Sequence, residues 1–249
     1  MIKRFSFALF VLCALAVPAA AASLQSLFAP DAGLWARWTV SDENATASIE
    51  HAEWTAFLGK YRRIGADGIA RISYGTVTPP DRETLDAYID RLAGLNIGSY
   101  ARGQQFSYWV NLYNALTVRL ILEHYPVQSI RDIDISPGLF ADGPWDANLI
   151  SVEGEEVTLN DIEHRILRPI WNDPRIHYVL NCASLGCPNI GARAFTPNES
   201  EAMLDEAARL YINSPRGLHV ESGALVASRV YDWFHEDFGR SEEEIIAHL

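Results

Sequence analysis

Apolar residues recur at helical spacing in three early stretches of the chain. Between Ser48 and Tyr61, the positions Ile49, Trp54, Phe57, Leu58 and Tyr61 form one face and predict a helix. Pro79-Pro80 supplies a helix start for a second element over Asp81 to Leu92. The third, Gln104 to Tyr125, is apolar on most sides, which predicts a central buried helix. Ser107, Asn111 and Asn114 fall at i, i+4 and i+7 and form a polar stripe along it. Buried amides need partners, because an unpaired one costs about 1–3 kcal/mol. The stripe therefore either ties down a neighbouring loop or lines a site.

A fourth pattern spans Thr158 to Arg168. Thr158 and Asp161 have the spacing of a capping box, so a helix is predicted to begin there and to stop at Pro169. Projection at about 100° per residue puts Leu159, Ile162, Ile166 and Ile170 in one arc and Glu163 inside it. His164 projects to the edge of that arc, within reach of a cleft. A buried carboxylate needs pairing, and the candidates are the Asn stripe, an imidazole, or an arginine such as Arg168 or Arg193.

Further on, Ile176, Tyr178 and Leu180 alternate with His177, Val179 and Asn181, a pattern that predicts a strand delivering Cys182 into the turn Ala183-Ser-Leu-Gly186. Cys182 and Cys187 are the only cysteines outside the first 22 residues. Three readings compete: a disulfide between them, a thiolate nucleophile activated by a nearby histidine, and a structural zinc site using Cys182, Cys187, His164 and His177. The five-residue step between the cysteines is unlike the usual spacing of zinc ligands, and no cofactor is indicated.

The N-terminus bears on compartment. Lys3 and Arg4 precede an apolar run to Val17, and Pro18 leads into Ala19 to Ala22, the pattern of a secretory signal peptide over residues 1–22. Cys13 lies inside it and has no small residue before it, so cleavage in the alanine run is favoured over lipidation. The expectation is a periplasmic or secreted protein with no integral membrane segment after processing. Removal of Lys3 and Arg4 takes the formal net charge from −12 to −14. That acidity, with the basic residues scattered, excludes nucleic acid as a partner. Residues 23–249 are read as one globular domain, long enough to bury a full core.

Four of these segments together resemble domain of unknown function family 547. They are Tyr108-Trp-Val-Asn-Leu-Tyr-Asn-Ala115, Leu159-Asn-Asp-Ile-Glu-His-Arg-Ile-Leu167, the run from Asp173 to Pro188, and Tyr231-Asp-Trp-Phe-His-Glu-Asp-Phe-Gly239. The family-like region is taken as about 48–239. The resemblance implies an α+β fold, helices around a small, mostly antiparallel sheet, similar to a rearranged papain-like cysteine peptidase. It also implies a catalytic set of Cys182, His164 and Glu163, with Asn111 and Asn114 in support, to which the residues themselves add His177 and Cys187 as supporting candidates. On that basis the expected function is an exported thiol hydrolase or acyltransferase acting on a peptide or small acyl substrate. His164 would take the Cys182 proton, and the amides of the Ala183 to Gly186 turn would hold the oxyanion. His177 is the reserve base. Two alternatives stay open: a non-catalytic binding module with a Cys182–Cys187 disulfide, and a thiol/disulfide redox protein.

Overall fold

The computed structural model describes residues 30, 32–138 and 143–249, so the signal-peptide and Cys13 expectations lie outside the described residues. The fold is α+β, with helices dominating and every strand pair antiparallel. Its centre is α3 (Arg102–His124), buried without a break from Gln105 to Val118. Helices α1 (Ala52–Tyr61) and α2 (Pro79–Ala93) pack outside it, joined to it through Trp54, Leu58, Ile89 and Leu92 in one apolar cluster. The first helix starts later than its apolar spacing predicts. Gln104 Oε1 accepts from the Ile49 N–H at 3.0 Å, which holds the chain before Ala52 out of helical geometry.

The expected sheet is instead three separate two-stranded hairpins: β1 (Arg62–Ile64) with β2 (Ala70–Ile72), β3 (Ile150–Val152) with β4 (Glu155–Val157), and β5 (Leu218–Glu221) with β6 (Ala224–Ala227). Strands of three or four residues bury little surface; β1 packs against α1 and β3 against α2, while the β5–β6 hairpin is largely exposed. Glu153-Gly154 and Ser222-Gly223 close two of them with positive φ at both turn positions, the geometry that matches the twist of paired strands.

The strand expected over Ile176 to Asn181 is not formed. Pro174–Tyr178 is a 3₁₀ turn, opened by Asp173, whose carboxylate accepts from the Arg175 N–H at 2.8 Å. Asn114 then takes the backbone that a strand partner would have taken. Its Nδ2 donates to Val179 O and its Oδ1 accepts from Asn181 N–H, both at 2.9 Å.

The helix predicted to stop at Pro169 continues to Trp171, through a π-helical stretch (Asp161–Leu167) and then α4 (Arg168–Trp171). The Thr158 capping box is present: Asp161 N–H donates to Thr158 Oγ1 at 2.9 Å, and Thr158 N–H donates to Asp161 Oδ2 at 3.1 Å. The wide turn is closed by Arg168 N–H donating five residues back to Glu163 O. Pro169 has no N–H, and its ring displaces the carbonyl of residue i−4. The carbonyls of His164 and Arg165 are accordingly turned outward, where Gly33 N–H and Trp35 N–H donate to them at 3.0 and 2.9 Å. A proline that would end an ordinary helix here docks an N-terminal strap.

The remaining helices, α5 (Ser200–Ile212), α6 (Val230–Trp233), α7 (His235–Phe238) and α8 (Glu242–His248), complete the described chain. Among the described residues no helix is long and apolar enough to cross a membrane.

Candidate functional site

The π-helical stretch winds more slowly than the projection assumes, and it turns Glu163 and His164 inward together. His164 is only 5% exposed, which corrects its expected place at the edge of a cleft. Phe234, between α6 and α7, lies over both histidines, stacked on His177 at 4.5 Å and on His164 at 5.4 Å between ring centroids. The Arg168 guanidinium lies over the Phe234 ring, 4.6 Å from its centroid.

Charges alternate through the cluster. His177 Nε2 shares a hydrogen bond of 2.6 Å with Asp237 Oδ2, and its Nδ1 faces Glu163 Oε1 at 3.5 Å. Arg168 donates from Nε to the same Asp237 oxygen at 2.6 Å, from Nη1 to Pro30 O at 2.9 Å, and from Nη1 to His164 Nδ1 at 2.9 Å. A guanidinium cannot accept, so His164 Nδ1 must, and His164 is the neutral tautomer with its proton on Nε2. Burial, reinforced by Arg168 and His177, pulls its pKa down to about 4 despite Glu163. His177 goes the other way. Burial opposes its charged form, but hydrogen bonds to Asp237 and Glu163 outweigh burial and raise it, so it is an imidazolium between two carboxylates.

Burial likewise pushes Glu163 and Asp237 up, and the surrounding cations reverse it. For Glu163 these are His177 and Arg168, joined by His164 once it protonates below about 4, and for Asp237 they are His177 and Arg168; both carboxyls end at about 2. Tyr113 on α3, beside Glu163, is held well above its ordinary value by burial and then by that carboxylate's charge.

The two cysteines are joined in a disulfide, Cys182 half-buried and Cys187 buried. Among the described residues no hydrogen bond joins either sulfur to His164 or His177. The four-residue zinc reading is therefore corrected: sulfurs bonded to each other are not thiolate ligands, and Arg168, Asp237 and Glu163 face the ring nitrogens where a metal would bind. The turn beyond Cys182 uses its amides internally. Ala183, at φ 57°, donates to Asn181 Oδ1 at 3.0 Å, and Gly186 donates to Ser184 Oγ at 3.4 Å.

The asparagine stripe ties down loops. Asn111 exchanges two hydrogen bonds of 2.9 Å with Phe195, one to its carbonyl and one from its N–H, while Asn114 grips Val179 and Asn181 just before Cys182. Ser107 Oγ, the third member, is buried with no partner among the described residues. Asn111 and Asn114 also line a cleft of about 110 Å³ between α1, α5 and the loop after the disulfide. Tyr211 and Arg216 line it too, and both hold that loop, Tyr211 donating to Gly186 O at 2.9 Å and Arg216 to Cys187 O.

The structure thus brings Glu163, His164 and His177 together, and Asn111 and Asn114 beside the cleft, with the disulfide between Asn114's loop and Tyr211. Arg193, a candidate partner for Glu163, pairs with Glu199 at 3.1 Å instead. Sequence reasoning passed over Asp237 and Phe234, which sit in a short segment whose charges look solvated.

Residues 97–212 match the family described as protein of unknown function, DUF547. No curated protein matches the chain, and no solved structure does.

Proposed function

We propose that this DUF547 chain is an exported binding protein whose ligand loop is shaped by the Cys182–Cys187 disulfide. The observation that carries the reading is the shared anchoring of loop and cleft: Tyr211 and Arg216 line the cleft while their side chains hold Gly186 O and Cys187 O inside the disulfide loop. A ligand in the cleft is in contact with the residues that fix the loop. A disulfide also suits an oxidising compartment, in keeping with the leader-like residues 1–22. Thiol titration of the exported protein, denatured without reductant, tests this reading. No free thiol is expected, and two free thiols in the protein as isolated would overturn it.

One observation favours a second reading, a thiol hydrolase or acyltransferase. Cys182 is the less buried of the two cysteine residues, and it follows five residues after His177, which belongs to a buried cluster of strongly shifted acids and bases, a common companion of catalysis. In that chemistry the reduced Cys182 gives its proton to a histidine, its thiolate attacks an amide or ester carbonyl, and the amine or alcohol leaves with that proton, giving a thioester that water or a second acceptor cleaves. His164 serves only if Arg168 releases its Nδ1. Iodoacetamide labelling of the reduced protein at neutral pH decides it. Fast labelling of Cys182, slowed in His164→Ala, supports the thiol enzyme, whereas labelling at the rate of an ordinary thiol rejects it.

A further inference from the structure

The cleft beside the disulfide loop holds two arginines without a counter-ion in a chain whose net charge is −12. Arg62 donates from Nε to Ile190 O at 2.7 Å, and Arg216 donates to Cys187 O, to Leu185 O at 3.4 Å and to Asn189 Oδ1 at 2.9 Å, all neutral acceptors. Among the described residues neither reaches a carboxylate at ion-pair distance. Arg91, Arg165, Arg168, Arg175 and Arg193 each do. Burial pushes both unpaired guanidinia below their ordinary value, and the charge of Glu206 restores Arg62 only in part. A partly desolvated guanidinium has lost hydration that an anion can replace, through hydrogen bonds roughly twice as strong as neutral ones.

The rest of the cleft limits what that anion belongs to. Trp54 and Leu58 of α1 and Met203 of α5 give it a buried apolar wall. Its volume, about 110 Å³, is well below the roughly 300–1,000 Å³ of pockets that engulf a whole drug-sized ligand, so it takes one terminal group rather than an entire molecule. Glu206, exposed on the same cleft, repels a second negative charge and disfavours dianions.

We propose that this cleft binds the free carboxylate end of a peptide or acyl chain, the carboxylate meeting the terminal guanidinium N–H groups of Arg62 and the small apolar end group lying on Trp54, Leu58 and Met203. This rests on the binding reading above and names its ligand class.

Calorimetric titration of the oxidised full chain with N-acetyl-dialanine, its C-terminal amide and inorganic phosphate tests it. The acid is expected to bind at least tenfold more tightly than the amide or phosphate, and Arg62→Gln to bring acid and amide within twofold. Because Arg62 also holds Ile190 O, Ala207→Phe provides an independent check. It fills the cleft from α5 with Arg62 in place and is expected to abolish acid binding while thermal unfolding still shows a folded protein. Equal binding of acid and amide overturns the carboxylate assignment and leaves the binding reading standing. Tighter binding of phosphate, or binding of neither peptide by the folded oxidised protein, also overturns it. The thiol titration separately decides the binding reading.

Discussion

His177 and Asp237 lie 60 residues apart in sequence and 2.6 Å apart at Nε2 and Oδ2, and through this contact the C-terminal helices close over the π-helical stretch. Asp237 accepts at the same oxygen from Arg168, so one carboxylate neutralises two buried cations.

Asp237→Asn leaves Arg168 and the His177 imidazolium without that charge. Removing one partner of a buried ion pair costs about 3–5 kcal/mol. A loss near the lower end is expected, since the Asp237 side chain keeps 20% of its exposure. Urea unfolding measures it against Arg193→Ala, whose solvent-exposed pair with Glu199 contributes little to stability. Equal midpoints for the two variants would show that the cluster does not hold the fold.

Stability should depend on pH with opposite signs at the two histidines. His164 falls from 6.5 to about 4 on folding, so as pH drops through that window the unfolded chain takes up the proton first and stability declines, by on the order of 3 kcal/mol. His177 is raised, so its contribution is complete below 6.5 and fades as pH climbs through its folded value. The contributions of Glu163 and Asp237 are present above their ordinary values of 4.5 and 3.8 and disappear as pH falls toward about 2. Unfolding free energies from pH 3 to 9 test this, with His177→Gln expected to remove the alkaline decline. An alkaline decline that persists unchanged in His177→Gln assigns it to another group.

Asn114→Ala frees the buried Val179 O and the partly buried Asn181 N–H in the segment leading to Cys182. A cost of about 2–4 kcal/mol is expected. Amide exchange at Asn181 should accelerate far more than exchange in the middle of α3. Uniform acceleration across both would indicate global destabilisation alone.

Opening the disulfide removes a small covalent loop. Loop-closure entropy for so short a segment is worth about 2 kcal/mol. The double variant Cys182→Ala, Cys187→Ala should lose that amount in urea, and reductant should then have no further effect. A larger loss would mean that the bond also strengthens the Tyr211 and Arg216 anchors.

The helices were legible because burial is written along them at a fixed period. Trp54, Phe57, Leu58 and Tyr61 mark α1, and the unbroken apolar run of α3 marks the centre. The partners of the polar residues were not legible. Asn111 and Asn114 announce buried amides, but the backbone they hold lies 65 residues or more away. The segment Ile176 to Asn181 alternates like a strand, yet among the described residues no strand pairs with it, and Asn114 takes its hydrogen bonds. Glu163 was read as inward and paired, and the structure agrees. His164 was misplaced because a 100° projection assumes i−4 hydrogen bonding, whereas Arg168 bonds to Glu163 O. Asp237 sits between Glu236, which is exposed, and Phe238, which is buried, in a four-residue helix too short to show a period.

Because Pro169 cannot donate and its ring also pushes the i−4 carbonyl aside, His164 O and Arg165 O are standing vacancies in the hydrogen-bond ladder, and the strap at Gly33 and Trp35 fills them as a neighbouring strand fills the edge of a sheet. A polypeptide trimmed to the family-matched residues 97–212 would keep those vacancies and lose both Pro30 O and the Asp237 carboxylate from Arg168. The stretch that relatives share is thus shorter than the stretch that must fold together, and a truncation set by similarity alone would cut through the hydrogen bonds of its own most buried arginine.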